Sequence, residues 1–282
     1  MLSIPLLIIR DFFGLIRVCG PTVALRWLWM IATHVRPCAA QRSLQPADLA
    51  MGQGPFAVRL RGARARLTGP KVFSAVREIW VRDVYLADGF LAIPPNALVV
   101  DLGANMGNFT LLALAHGPGV KVICVECSPV LVDRLEHSLA VNGWRERARI
   151  CHRFIGAKTS YQEREITCRD AANVPFITER EFIDFYGISH IDLLKCDIEG
   201  SEFGLFTPGS ALLEMTDQLA IEVHEHAGSR QDFLNMLEAQ GFEVRTRRWD
   251  AQCCTLNARR PAPALATPRQ TMKRKAVGCP EF

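Results

Sequence analysis

The sequence predicts an α/β fold, a mostly parallel twisted sheet with helices on both faces, preceded by an N-terminal helical extension. Two observations predict it. From residue 97 onward, short apolar runs alternate with segments of helical period, the pattern of strands buried on both faces. A composition of 49% hydrophobic and 22% charged residues over 282 positions leaves ample material for a large core. It excludes disordered, collagen-like and low-complexity chains. The net charge of +4 is uneven: from Arg245 onward nine basic residues face two acids, so the preceding 244 residues sum to −3. A mildly acidic body with a basic end does not describe a dedicated nucleic-acid binder.

Residues 1–56 read as the extension and a linker. Gly20-Pro21 splits two helical pieces, 4–18 and 22–34, and the Pro-, Gln-, Ser- and Gly-containing stretch 37–56 reads as the linker. Arg10, Arg17 and Arg26 interrupt every apolar run before the roughly 18 uncharged residues of a membrane span. No basic start precedes Leu2, against a signal peptide. Trp27 and Trp29 in an apolar segment, with Arg10 and Arg17 one heptad apart, suit a peripheral membrane contact by residues 1–34. Packing against the domain or another subunit ranks above it. Of ten cysteines, Cys124 and Cys127 have the gap of a zinc half-site, but no second pair completes it. The reading is a cytoplasmic chain with unpaired thiols, with membrane association as the second choice.

Residues 57–258 read as the functional domain. Period-two alternation over 57–68 predicts a strand pair turning at Gly62, its arginines a solvated face. Residues 71–83 look helical, 97–102 form a strand and 106–116 a helix. Strand 120–125 leads to Ser128-Pro129, an N-cap with proline at the first helical position, and a helix with Leu131, Leu135 and Leu139 on one face. Residues 149–155 and 164–169 are strand-like, 178–186 helical, and 191–196 and 218–223 are strands. A helix over 229–240 stops at Gly241, and 242–247 with 252–256 suggest a closing hairpin. Residues 259–282 read as a disordered basic tail.

The most informative segment runs from Val99 to Asn108. Asp101, Gly103, Asn105 and Gly107 form an Asp-x-Gly-x-x-x-Gly turn between strand and helix. It is neither a dinucleotide fingerprint nor a phosphate-cradling loop, since no Lys-Ser or Lys-Thr follows. An acid facing the turn suits a cationic ligand without phosphates. Glu126, at the end of the next strand, can accept hydrogen bonds from both hydroxyls of a ribose. Together they describe a cleft for S-adenosyl-L-methionine, which outweighs the plainer reading of a tight turn and a solvated strand end. Asp197, Glu199 and Glu202 crowd the end of the third apolar strand, where like charges should raise at least one carboxyl pKa. His224 ends the fourth. Asp197 and Glu199 read as catalytic acids or bases, and His224 as a proton acceptor or orienting group. A divalent metal held by Asp197, Glu199 and His224 ranks second and is not predicted.

These stretches carry a resemblance. Residues 77–85 (Arg-Glu-Ile-Trp-Val-Arg-Asp-Val-Tyr), 99–107 and 191–202, with Asp-Ile-Glu-Gly-Ser-Glu after Leu-Leu-Lys-Cys, are similar to FkbM-type methyltransferases. Cys196 departs conservatively from the usual Ile or Val. The resemblance implies a Rossmann-like class I methyltransferase fold and, most often, O-methylation of hydroxyls on sugars or natural products. By position it places Asp101, Gly103 and Gly107 at the methionine end of S-adenosyl-L-methionine and Glu126 at its ribose. The expected partner is a small-molecule or glycan acceptor, attacked in line with Asp197 or His224 as base. A catalytically silent scaffold and a nucleic-acid methyltransferase are the alternatives; an acidic cleft mouth disfavours the latter.

Overall fold

The computed structural model describes residues 4–60, 63–156, 158–168, 171–248 and 253–261. The tail from 262 onward and the turn at Gly62 lie outside them. The chain opens with helices α1 (Ile4–Cys19) and α2 (Pro21–Thr33), hinged at Gly20. Residues read as a linker then form α3 (Val35–Gln41) and α4 (Gln45–Ala50). Tertiary contacts make these helices: Leu44, Ala47, Asp48 and Met51 are buried, and Asp48 accepts hydrogen bonds from Trp27 Nε1 at 2.9 Å and Ser74 at 3.2 Å. Strands β1 (Phe56–Leu60) and β2 (Ala63–Leu67) pair antiparallel, with Arg59, Arg64 and Arg66 exposed and Val58, Ala65 and Leu67 buried, as the alternation requires.

Helix α5 (Val72–Ala75) continues as one π-helical segment, Val76–Val81. Its Arg77 is buried and charged. Burial opposes that charge, and Asp48 and Asp11 of α1 more than restore it. Arg82 also donates to Asp11. The 77–85 stretch is therefore what ties the N-terminal helices to the domain.

The sheet is built from β3 (Leu98–Leu102), α6 (Asn108–Leu114), β4 (Lys121–Glu126), α7 (Pro129–Val141) and β5 (Ala148–His152). A small parallel pair follows, β6 (Phe154–Ile155) and β7 (Phe176–Ile177), with α8 (Ser160–Cys168) between them. The strand expected over 164–169 is thus helix as far as Cys168. A capping box starts it: Thr159 Oγ1 accepts from the Gln162 N–H at 3.2 Å and Gln162 Oε1 from the Thr159 N–H at 2.9 Å. Then come α9 (Glu179–Tyr186), β8 (Leu193–Cys196), α10 (Glu202–Leu205), α11 (Ala211–Glu214), β9 (Gln218–His224), α12 (Arg230–Ala239), β10 (Glu243–Arg248) and β11 (Cys253–Arg259). The seven-stranded order is β10-β11-β9-β8-β3-β4-β5, parallel except for β11, which runs antiparallel to both neighbours. Alternate residues feed the two faces: Val99 and Val122 pack with α1, α2 and α6, whereas Val100 and Ile123 pack with α9, α11 and α12. No helix among the described residues is long and apolar enough to cross a membrane.

Candidate active site

Strand β3 lies between β4 and β8. The chain runs from it to β4 and β5 on one side, then returns to build β8 and β9 on the other. At such a reversal the loops diverge and leave a crevice at the carboxyl ends of the strands. Two adjoining cavities open there and share Gly103 and Asp197. The larger, about 350 Å³, is lined by Glu78, Tyr85, Asn105, Asn108, Lys195 and Glu222 among others. The narrower is walled by Val125, Glu126, Arg153, Phe154, Ile155 and Glu199.

Gly103 has a φ of +72°, and a Cβ there would lie 1.8 Å from the Asp197 carbonyl oxygen. Only glycine lets the loop after β3 pass so close to the loop after β8. Gly107 caps α6 with a φ of +89°. Glu126 is buried and fixed, its two oxygens each accepting a backbone N–H at 2.8 Å, from Asn105 and from Ser128. Those bonds fasten the glycine loop to the end of β4.

Asp101 is placed otherwise than expected. It is fully enclosed and is not among the residues lining either cavity. It accepts a hydrogen bond from Thr110 Oγ1 at 2.6 Å and lies 3.2 Å from Lys195 Nζ. Lys195 in turn donates to the carbonyls of Gly103 at 2.8 Å and Leu102 at 3.3 Å. Burial alone would lower the Lys195 pKa, but Asp101 and Asp197 overcome this and keep the ammonium charged. Lys195 is therefore the pin beneath the glycine loop. Its signal was a lysine inside an otherwise apolar strand.

His224 is nearly buried and lines neither cavity. Its Nδ1 is 3.1 Å from Glu202 and its Nε2 3.6 Å from Glu199. Burial opposes the charge, but the Glu202 hydrogen bond, then the charges of Glu202, Asp197 and Glu222, raise the pKa from 6.5 to about 9. A shift in that direction favours the imidazolium, which holds its proton and does not accept another. Glu78, which sequence reasoning had not singled out, is a carboxyl whose pKa is raised, and desolvation is the main cause. Glu78 opens on the larger cavity, yet desolvation by its walls raises its pKa against Arg82 and Arg77, with Asp197 and Asp48 adding to the rise. Tyr85 beneath it stays a neutral phenol, through burial and the surrounding carboxylates. Donor atoms of Asp197, Glu222 and His224 lie within 4.8 Å of one another, so Glu222 takes the place that sequence gave to Glu199 in a metal set. The imidazolium would first have to lose its proton to ligate.

The family model described as "Methyltransferase FkbM domain" matches residues 101–244, just over half of the chain. The chain belongs to the FkbM methyltransferase family. It is 26% identical over 226 residues to the AMB antimetabolite synthetase AmbE of Pseudomonas aeruginosa, a match covering 61% of this chain and 11% of that protein. It is 25% identical to methyltransferase sdnD of Sordaria araneosa over 54% of this chain and 76% of that one. Among solved structures it is similar to Aeropyrum pernix fibrillarin with natively bound S-adenosyl-L-methionine, at 14% identity and a TM-score of 0.42, covering 73% of this chain and 82% of the other.

The cofactor of this FkbM methyltransferase is S-adenosyl-L-methionine, and the residues present fit it. Glu126, fixed by two backbone N–H groups, would accept hydrogen bonds from ribose hydroxyls, and Phe154, Ile155 and Val125 would supply an apolar wall for the base. In the larger cavity, Gly103 and Asn105 of the glycine loop would face the cationic amino-acid end.

Proposed function

We propose that this methyltransferase acts on a hydroxyl oxygen of a sugar, glycan or other natural-product acceptor seated in the larger cavity. The observation that carries the reading is that cavity's lining of three carboxylates, Glu78, Asp197 and Glu222, around one ammonium already committed to the glycine loop. Carboxylates accept hydrogen bonds from hydroxyls and orient them. They would hold an amine as an ammonium, whose lone pair is occupied, so the lining favours oxygen over nitrogen as the attacking atom. When bound, the cofactor supplies an electrophilic methyl group on a sulfonium. Asp197, at the junction of the two cavities, takes the hydroxyl proton, while Glu78 and Glu222 fix the acceptor's other hydroxyls. His224 keeps its charge and holds Glu202 and Glu199 in place.

The test pairs binding with turnover. Titration with S-adenosylhomocysteine should give micromolar binding that Glu126→Ala weakens tenfold or more, about 1.4 kcal/mol. In an acceptor screen with labelled cofactor, Asp197→Asn should lower kcat by about two orders of magnitude while leaving S-adenosylhomocysteine affinity within a few-fold. An Asp197→Asn protein with undiminished turnover would remove Asp197 as the base. Methyl transfer confined to nitrogen acceptors would overturn the oxygen reading.

A further inference from the structure

Exposed apolar surface is concentrated in one region. Among the described residues nine large hydrophobic side chains are exposed, and seven of them precede residue 50. Leu6, Ile9 and Phe13 follow one another at helical spacing on α1, with Phe13 64% exposed; on α2, Trp29 is 65% exposed. At about 100° per residue, Leu6, Ile9, Arg10, Phe13 and Arg17 share an arc of roughly 100°. All five lie on the outward side of α1 or its flank, opposite the buried Asp11, Leu15 and Val18.

The charge on this region has one sign. Residues 4–47 hold five arginines and a single acid, Asp11. Asp11 is fully buried against Arg77 and Arg82; it also lies 3.8 Å from Arg10 Nε, but one acid shared among three arginines leaves the outward face net positive. Beside Phe13 a groove of about 360 Å³ runs between α1 and the end of the π-helical segment with the residues that follow it, lined by Arg10, Gly14, Arg17, Val81, Arg82 and Asp88. Asp88 is 3.4 Å from Arg247 and is thereby balanced from the other side.

We propose that the outer face of α1 docks this enzyme on an anionic lipid bilayer. Leu6, Ile9 and Phe13 enter the boundary between headgroups and acyl chains, and Arg10 and Arg17 meet headgroup phosphates at the groove. Trp29 of the neighbouring helix sits at the depth where an amphipathic ring is favoured. Charge complementarity selects this occupant over a second copy of the chain. A two-fold contact through this face would set Arg10 and Arg17 against their own counterparts, whereas anionic lipid neutralises them.

The experiment is flotation of the full chain with vesicles, with the emission of Trp29, 65% exposed, read as the difference between wild type and Trp29→Phe because the chain holds four other tryptophans. Vesicles containing about a third phosphatidylserine should bind at least tenfold more protein than pure phosphatidylcholine, with a blue shift in tryptophan emission. Raising salt from about 0.1 M to about 0.5 M should weaken that binding. R10E/R17E and Phe13→Ser should each reduce binding at least tenfold, with unchanged thermal melting and S-adenosylhomocysteine affinity. No preference for phosphatidylserine, or full binding by R10E/R17E, would overturn the proposal. So would a wild-type dimer in solution that Phe13→Ser converts to monomer, because the face would then belong to a second copy.

Discussion

His224 and Glu202 show why a residue's type does not give its role. A histidine at a strand end beside carboxylates reads as a base, yet the same carboxylates hold its proton in place. The Nδ1 contact to a fully buried Glu202 at 3.1 Å makes the pair a structural ion pair. Its linkage to stability has a definite sign. The folded pKa, about 9, lies above the ordinary 6.5 of an unfolded histidine. The pair's contribution is therefore fully present below pH about 6.5 and is lost as pH rises through about 9. Melting temperature measured from pH 6 to 9.5 should fall along this limb. His224→Asn should flatten it and, by leaving Glu202 buried without its cation, cost about 3–5 kcal/mol at pH 6. A wild-type profile that is flat over this range would remove the charge from His224 and restore it as a candidate base.

At the scale of elements, strands with an apolar run and a helix after them were legible because burial on both faces leaves a mark on every residue. The runs ending at Leu102, Glu126, Cys196 and His224 are the four central strands β3, β4, β8 and β9. What stayed hidden depended on partners far along the chain. Residues 45–50 form a helix because Asp48 reaches Trp27 and Arg77, which no local pattern announces. Helix α8 did carry a local signal, the Thr159–Gln162 capping box, but the isolated apolar residues after it imitated a strand. In the site, Glu126 and the glycines were legible from spacing. Glu78 was not, since it reaches the cavity from a separate π-helical segment. That segment packs tightly on α1: a Cβ added at Gly14 would come within 2.3 Å of Val81 Cγ1. Gly14→Val should therefore push α1 away from it and destabilise the protein by about 1–3 kcal/mol in urea unfolding. Gly20→Ala is a poor control, because its φ of +93° penalises any side chain. Ala32→Val on the exposed side of α2 is a suitable one and should stay within about 0.5 kcal/mol of wild type. Equal costs for the two valines would mean that α1 does not rest on Val81.

For the whole molecule, the N-terminal helices are part of the core on one face of the sheet. Leu15, Val18, Ala24 and Trp27 belong to the same buried cluster as Val99, Leu111 and Val122. Removing residues 1–52 would expose the surface that Leu15, Val18 and Trp27 cover, at about 1.5–3 kcal/mol for each large side chain. It would also strip Arg77 of Asp11, Asp48 and the Trp27 ring it lies over, dissolving the ion-pair network that orders this segment. Those losses together match the whole stability of an ordinary domain, about 5–15 kcal/mol. The shortened chain should therefore show no cooperative thermal transition by circular dichroism and no S-adenosylhomocysteine binding. Arg77 and Glu78 are adjacent on the segment that walls the larger cavity, so the contacts that seat α1 and α4 also hold Glu78 in the acceptor's wall. A truncated protein that melts cooperatively and binds S-adenosylhomocysteine with wild-type affinity would show that the sheet and its cavities stand without the extension. Docking α1 on a bilayer would, in that event, be energetically separate from the catalytic domain. If truncation unfolds the chain, the face that meets lipid and the wall of the acceptor cavity are two sides of one packed layer.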